Sequence, residues 1–263
     1  MNSIGVVVPA YHPTLSRLTT YLEAIEETLD PAVIRVELDD PRPETQRVLA
    51  DCPVDVEVAT SAERRGKGVA ITAGFEALAS RVDVLAFADA DGSTPAESLA
   101  AVVAPVADGD VELSVGSRRH PDAEIRSHQT FARRRLGDGF AWLARRFLEV
   151  PLYDYQCGAK ALSTDTWRRV REHLYEPGFA WDIELIAVAG AFDCRVREVP
   201  VVWEDYPEST VSTVSTTLRL ARALVRSRQR ARSIRANRPQ ATQQSRDGGL
   251  SLVERLRTDA VDE

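Results

Sequence analysis

The chain has 263 residues, 44% of them hydrophobic, and a formal net charge of −7. That length buries a full core as one α/β domain with additions, and no apolar run approaches the ~18 residues that a membrane-spanning helix needs. Cys52, Cys157 and Cys194 are odd in number and lack metal-type spacing, which excludes a disulfide framework and suits a reducing compartment. Residues 219–238 hold eight arginines and no acid, leaving −15 on the rest: an acidic body with a basic arm.

Met1 to Pro9 passes straight into an apolar run without a basic region or cleavage pattern, so no secretory signal is expected. Ile4 to Val8, closed by Pro9, reads as a strand buried on both faces. Leu15, Leu18, Leu22, Ile25 and Leu29 then recur at helical spacing over 14–29. Strands are predicted at 33–38, ending on Asp39 and Asp40, and at 54–58. Their alternation with helical patterns argues for right-handed βαβ units. Arg64-Arg65-Gly66-Lys67-Gly68 precedes a helix over 69–79, and a cationic, glycine-rich turn at a helix start suits an anion. It is not a Walker A loop, because Gly68 follows Lys67. A flexible basic turn is the plainer account.

The run from Val82 to Ala88 delivers Asp89-Ala90-Asp91-Gly92-Ser93 to a strand end, where open α/β sheets bind their ligands. One Mg²⁺ or Mn²⁺ takes one or two carboxylates plus substrate phosphate oxygens, which Asp89 and Asp91 supply. The same residues also make a polar strand-to-helix turn, with Ser93 or Thr94 capping a helix over 95–106.

A fifth strand at 111–115 ends in Gly116-Ser117-Arg118-Arg119, and residues 119–130 read as a mobile loop over the site. Helical spacing resumes over 131–148 with Arg133, Arg134 and Arg135 in its first turns. Cations there oppose the helix dipole, so an anionic ligand explains them better than helix stability; a solvated charged face is the alternative. Asp154 to Lys160 leads into a short strand. Trp181, Asp182 and Glu184 open another helix, where Asp182 is either a cap or a catalytic acid. A last strand at 196–203 breaks at Pro200. Val214, Leu218, Ala221 and Val225 then form one stripe of a basic amphipathic helix, which reads as a membrane-surface or partner helix. Residues 237–249 are rich in Gln, Ser, Pro and Gly and are expected to be disordered, with one or two helical turns near 251–256.

Val7-Val8-Pro9-Ala10-Tyr11, Asp39-Asp40, Arg65-Gly66-Lys67-Gly68, Asp89-Ala90-Asp91-Gly92-Ser93, Gly116-Ser117-Arg118, Asp154-Tyr155-Gln156-Cys157-Gly158, Phe179-Ala180-Trp181-Asp182-Ile183-Glu184-Leu185 and Glu198-Val199-Pro200-Val201-Val202-Trp203 follow in order. Together they resemble family 2 glycosyltransferases, most closely the dolichyl-phosphate glucosyltransferase and mannosyltransferase type. The resemblance implies the GT-A fold, a Rossmann-like, mostly parallel α/β sheet flanked by helices, here over residues 1–210. A membrane-surface helix at 211–238 and a disordered tail at 239–263 are expected beyond it. His12 stands where the family commonly has Asn, Pro41-Arg42-Pro43 replaces its Gly-Ser turn, and Ser93 replaces the Gln of mannosyl relatives.

What the resemblance implies is an inverting transfer of a hexose from a nucleotide sugar, with a UDP-sugar favoured. The acceptor is a polyprenyl or dolichyl phosphate or a lipid-linked saccharide, and the protein sits peripherally on the cytoplasmic face of a membrane. Asp89 and Asp91 hold Mg²⁺ or Mn²⁺. Pro9, Tyr11, Asp39, Asp40, Lys67, Asp89, Gln156 and Trp181 line the substrates. Arg118, Arg133 and Arg134 hold the acceptor phosphate, and Asp182 is the base if the acceptor is a hydroxyl. An inactive GT-A-like scaffold that docks on membranes or partners is the alternative. Nucleic acid is not an expected partner, given the acidic body and the lack of a base-stacking motif.

Overall fold

The computed structural model describes residues 2–126, 131–204, 213–236 and 249–259. Of the stretch 237–249, expected to be disordered, residues 237–248 lie outside the described residues. The first half of the chain alternates strand and helix: β1 (Ile4–Tyr11), α1 (Leu15–Leu29), β2 (Val33–Asp39), α2 (Pro43–Ala50), β3 (Val56–Ser61), α3 (Lys67–Leu78), β4 (Val84–Ala88), α4 (Ala96–Ala107) and β5 (Leu113–Ser117). The second half contains β6 (Glu124–Ile125), α5 (Phe131–Phe147), β7 (Ala159–Ser163), α6 (Thr164–Val170), α7 (Trp181–Ala191), β8 (Val196–Pro200), β9 (Val202–Trp203), α8 (Thr213–Ala236) and α9 (Leu252–Asp259).

Seven strands form one sheet in the order β3-β2-β1-β4-β7-β5-β8. All pairs are parallel except those of β7, which runs antiparallel to β4 and β5. Consequently the start of β7, rather than its end, meets the carboxyl edge of the sheet, with Ala159 opposite Ala88. That inversion brings residues 154–158 to the edge where β1, β2, β4 and β5 also end. β1 is followed on one side by β2 and β3, and the chain then crosses back through α3 to place β4 on its other side, so the strand order reverses at β1 and a crevice opens there. Strand β1 runs through Pro9 to Tyr11, beyond the expected stop; proline lacks an N–H, but its neighbours complete the ladder.

The alternation of β1 divides the core. Val6 and Val8 face Leu18, Leu22 and Ile25 of α1, whereas Val7 faces Ile71 and Phe75 of α3. Helix α2 has no long apolar stripe and escaped the periodicity reading; Pro43 at its first turn starts it. The expected cap at Ser93 or Thr94 is absent. Helix α4 begins after Pro95 with no side-chain cap.

Two C-terminal segments pack on the body. Leu220, Leu224 and Ile234 of α8 are buried in the core cluster that contains α7, and Ala223 is buried too. Of the expected stripe, Val225 is exposed and Ala221 half-buried, and the side chains of Val214 and Leu218 lie outside the described residues. Residues 252–259 form the helix expected near 251–256 and are not part of a disordered tail. Leu252 and Val253 of α9 are buried, Leu252 N–H donates to Leu174 O at 2.8 Å, and Arg257 pairs with Glu172 at 3.0 Å. Burying the α9 pair offsets the entropy of ordering so short a helix. Arg230 of α8 pairs with the fully buried Glu184 of α7.

Removing one partner of such a buried pair leaves an uncompensated charge, costing about 3–5 kcal/mol. Arg230→Met should therefore lower the urea midpoint and the melting temperature much more than Arg222→Met, whose side chain is exposed. Equal melting curves for the two variants would show that the pair carries no stability.

Candidate functional site

The site is built around Asp182, at the start of α7 and only 2% exposed. Its Oδ1 accepts from Lys160 Nζ at 2.6 Å and its Oδ2 from Lys67 Nζ at 3.3 Å. Lys67 also pairs with Asp89 Oδ1 at 2.8 Å. Lys160 is fully buried on β7, donates to Cys157 O at 2.8 Å and, like Lys67, lies over the ring of Phe87. These are the only two lysines of the sequence, against 31 arginines. A compact ammonium with three donors fits between buried carboxylates where a planar guanidinium does not. Two cations and two anions balance, so the group tolerates burial. Burial opposes the charge of Lys67, but Asp182 and Asp89 outweigh it and raise its pKa. Burial likewise works against ionised Asp89, and Lys67 nevertheless holds its pKa below the usual range.

Lys67 is aimed by the loop around it. Gly66, at φ 99°, precedes α3, and a Cβ there would lie 2.6 Å from Pro177 O. The N–H groups of Gly68 and Val69 both donate to Pro177 O, at 2.9 and 3.2 Å. Glu184 in turn fixes that loop by accepting from the N–H of Tyr175 and of Glu176 at 2.7 and 2.8 Å.

Asp91 lies two residues beyond Asp89, exposed, with Oδ1 accepting the Ser93 N–H at 2.9 Å. Partial desolvation at the strand end, then the neighbouring Asp89 carboxylate, raise its pKa. Gly158 packs so close that any Cβ would collide with the Asp89 carboxylate. Among the described residues no three acids, histidines or cysteines cluster to hold a metal by themselves. Two carboxylates at an open edge instead fit a hard cation that completes its oxygen shell from water and substrate phosphates. The donor set therefore fits Mg²⁺ or Mn²⁺ bound together with a diphosphate.

On the β1–β2 side, Asp39 is buried and fully used, accepting from Arg65 Nε at 2.8 Å and from Gly66 N–H at 2.9 Å. Arg65 also reaches Glu37 at 2.9 Å. Asp39 is thus the anchor of the Lys67 loop, and Asp40 is the acid that faces outward. His12 Nε2 lies 3.0 Å from Asp40 O, Tyr11 stacks on His12 at 4.2 Å, and the Arg64 guanidinium lies 4.1 Å from the Tyr11 ring. Pro9 lies half-buried inside β1 and contributes shape alone.

On the other side, Asp154 holds Arg118 in a two-pronged ion pair, 2.7 Å from Nε and 3.1 Å from Nη2. Nη1 is in neither bond. Burial works against the Arg118 charge, yet Asp154 raises its pKa, so the pair stays ionised. Asp154 also takes the Gln156 N–H at 2.9 Å, and Glu198 holds the N–H groups of Tyr153 and Asp154. Arg133 and Arg134 fall in the first turn of α5, with side chains outside the described residues.

Two sequence expectations need correction. Trp181 is fully buried, edge-on to Phe75 and Phe87, with Nε1 donating to Thr72 Oγ1 at 3.2 Å; its ring is core and cannot line a substrate. Asp182, read as the base only if the acceptor is a hydroxyl, has each oxygen in contact with an ammonium group. Sequence reasoning also passed over Lys160, Asp154 and Gly158 as site residues. The rarity of lysine was the available signal for the first; the Asp154–Gly158 motif contained the other two without giving either a role.

Residues 5–157 match the model of Glycosyl transferase family 2. Among curated proteins, AglD of Haloferax volcanii is 30% identical over 85% of this chain and 36% of its own length. The dolichyl-phosphate beta-glucosyltransferase of Dictyostelium discoideum is 29% identical over 63% of this chain and 51% of its own. The human protein of that name is 28% identical over 78% and 68%. The chain thus spans between about a third and a half of the first two relatives. Among solved structures, glucosyl-3-phosphoglycerate synthase from Mycobacterium tuberculosis with Mn²⁺, UDP-glucose and phosphoglyceric acid superposes with TM-score 0.65 at 15% identity, covering 87% of this chain and 80% of that one. Mannosyl-3-phosphoglycerate synthase from Rubrobacter xylanophilus does so with TM-score 0.62 at 18% identity, covering 95% and 78%. These two likenesses concern the fold alone.

Asp91→Asn keeps the oxygen that accepts from Ser93 and removes the charge. Because the folded chain raises the Asp91 pKa, its ionised form costs stability above that value, and the cost fades as pH falls through it. In metal-free protein the variant should melt higher than the parent at neutral pH, and the difference should vanish in acid, below the ordinary carboxylate range. Mn²⁺ with UDP should raise the melting temperature of the parent chain and not of the variant. A variant that melts lower at neutral pH would refute the repulsion.

Proposed function

From a chain that belongs to glycosyl transferase family 2 and has the GT-A fold, we propose an inverting enzyme that moves a hexose from a nucleotide-diphosphate sugar, a UDP-sugar above all, to a polyprenyl phosphate. The reading rests on one observation: both oxygens of the buried Asp182 are held by Lys67 and Lys160. A general base must be within hydrogen-bond reach of the proton it abstracts. A hydroxyl acceptor would need such a base here, whereas a phosphate monoester, with a second pKa near about 6, arrives already ionised. The dolichyl-phosphate beta-glucosyltransferases among the relatives support the same choice of acceptor.

The donor's diphosphate belongs at the carboxyl edge, beside Asp89 and Asp91. A divalent cation bound there supplies charge neutralisation to the leaving diphosphate. Lys67, held between Asp89 and Asp182, presents a fixed ammonium to the same developing charge, and a fixed charge needs no reorganisation during the reaction. Asp40, Tyr11 and His12 offer a stacking and hydrogen-bonding edge for the nucleoside. Arg118, locked by Asp154, directs Nη1 toward the acceptor phosphate, with Arg133 and Arg134 as further cations. The acceptor oxygen attacks the anomeric carbon in line with the departing diphosphate. One bond forms and one breaks, with inversion.

The acceptor's head group lies at a membrane plane, so the protein works at that surface; we place it peripherally on the cytoplasmic face. Among the described residues no helix is long and apolar enough to cross a membrane.

A panel of radiolabelled nucleotide sugars, tested on polyprenyl phosphate and on lipid-linked saccharides with extraction into organic solvent, checks the assignment. Lys67→Met should cut kcat by at least about a hundredfold. The acceptor kcat/KM should rise with pH along the second ionisation of the phosphate. A phosphonate analogue of higher pKa should carry that limb upward with it. A limb that stays in place marks an enzymic base and a hydroxyl acceptor.

A further inference from the structure

Helix α5 turns Ala144 into the core, where Leu148 just past its end is buried too, and Trp142, Arg145 and Arg146 of the helix with the following Glu149 are left exposed. Trp142 is 70% exposed, the most exposed large hydrophobic side chain among the described residues. The other three tryptophans of the chain, Trp167, Trp181 and Trp203, are buried. A lone exposed indole would be ordinary, but Trp142 stands with the exposed Tyr153 and arginines around it. Among the described side chains of this face the one acid, Glu149, is paired with Arg235 of α8, and the rest are arginine and indole.

The patch is continuous with the site. The Arg145 guanidinium lies 4.6 Å from the ring centre of the exposed Tyr153, whose ring meets that of His120 edge-on at 5.8 Å. Tyr153 immediately precedes Asp154, the residue that holds Arg118. Helix α8, packed beside α5, adds the exposed Arg222 and Arg232. Indole rings and tyrosines settle at the level of lipid head groups, one end apolar and the other wet, and arginines around them meet anionic phosphates.

We propose that the outer face of α5, with Trp142, Arg145, Arg146 and Tyr153, is the surface on which the protein lies on an anionic lipid bilayer. This deepens the polyprenyl-phosphate reading by assigning the membrane contact to α5 rather than to α8, whose Leu220, Ala223, Leu224 and Ile234 are buried. An otherwise acidic chain is held there by charge complementarity, and a bilayer met by this face brings lipid head groups to the mouth beside Arg118.

The test uses the full chain and vesicles of equal parts phosphatidylcholine and phosphatidylglycerol. Because Trp142 is the exposed indole, vesicles should shift the emission to the blue, and brominated lipids should quench it. Trp142→Phe should abolish both changes. In co-sedimentation, Arg145→Gln with Arg146→Gln should weaken partition roughly 30-fold. Binding without a Trp142 signal would mean that another face touches the membrane, and the proposal falls. It falls equally if the full chain does not sediment with vesicles at low salt. A blue shift that depends on protein concentration without vesicles, with a dimer in light scattering, would assign the face to a second copy instead. Transfer to a short, water-soluble polyprenyl phosphate is measured in parallel. Its absence sinks the proposed reaction and leaves the docking result standing, while docking failure with intact transfer sinks only the face.

Discussion

Four charges follow one another by contact from the core to the carboxyl edge of the sheet: Lys160, Asp182, Lys67 and the part-exposed Asp89, the two ammonium groups lying over the ring of Phe87. None of the three most buried members would remain charged alone, because isolated ions lose several kcal/mol of hydration in such surroundings. Each therefore constrains the others. Lys160 needs β7 antiparallel between β4 and β5, Asp182 needs the first turn of α7, and Lys67 needs the turn before α3. Three elements far apart in sequence are tied by charge balance, and the open end of the series is the acid pair facing the crevice.

The support behind that series reaches into the C-terminal part of the chain, past the 5–157 region that the family model covers. Arg230 of α8 meets Glu184, Glu184 holds the N–H groups of residues 175 and 176, and Pro177 O receives the first amides of α3. A segment readable as an external arm is thus a brace for Lys67. Its arginines divide accordingly: Arg230 turns inward to a buried carboxylate, and Arg222 and Arg232 remain in solvent.

A second brace sits on the β5 side. Glu198 of β8 fixes the backbone at 153 and 154, and Asp154 then fixes Arg118 through two bonds. The arginine gives up part of its charge to this carboxylate and gains a set direction. Such an exchange suits a residue that must meet a doubly charged group without collapsing onto Asp89.

The sequence alone determined the alternation of strands and helices in the first half, the acids after β4 and the cationic turn before α3, since all of these follow from local period and local chemistry. It also carried the family resemblance, which rests on short motifs in order. Only the tertiary structure decided that β7 is antiparallel, because neither a five-residue apolar run nor its flanks encode direction. The same holds for Trp181 and Asp182: a helix start places them on adjacent positions, but burial against Phe75 and Phe87, and the approach of Lys160 from another strand, set one as core and the other as counter-ion. Helix α8 was legible as amphipathic, but not that the body covers Leu220, Ala223, Leu224 and Ile234 and leaves Val225 exposed. An apolar face states how much surface must leave water, and only the packed chain decides whether protein or lipid covers it.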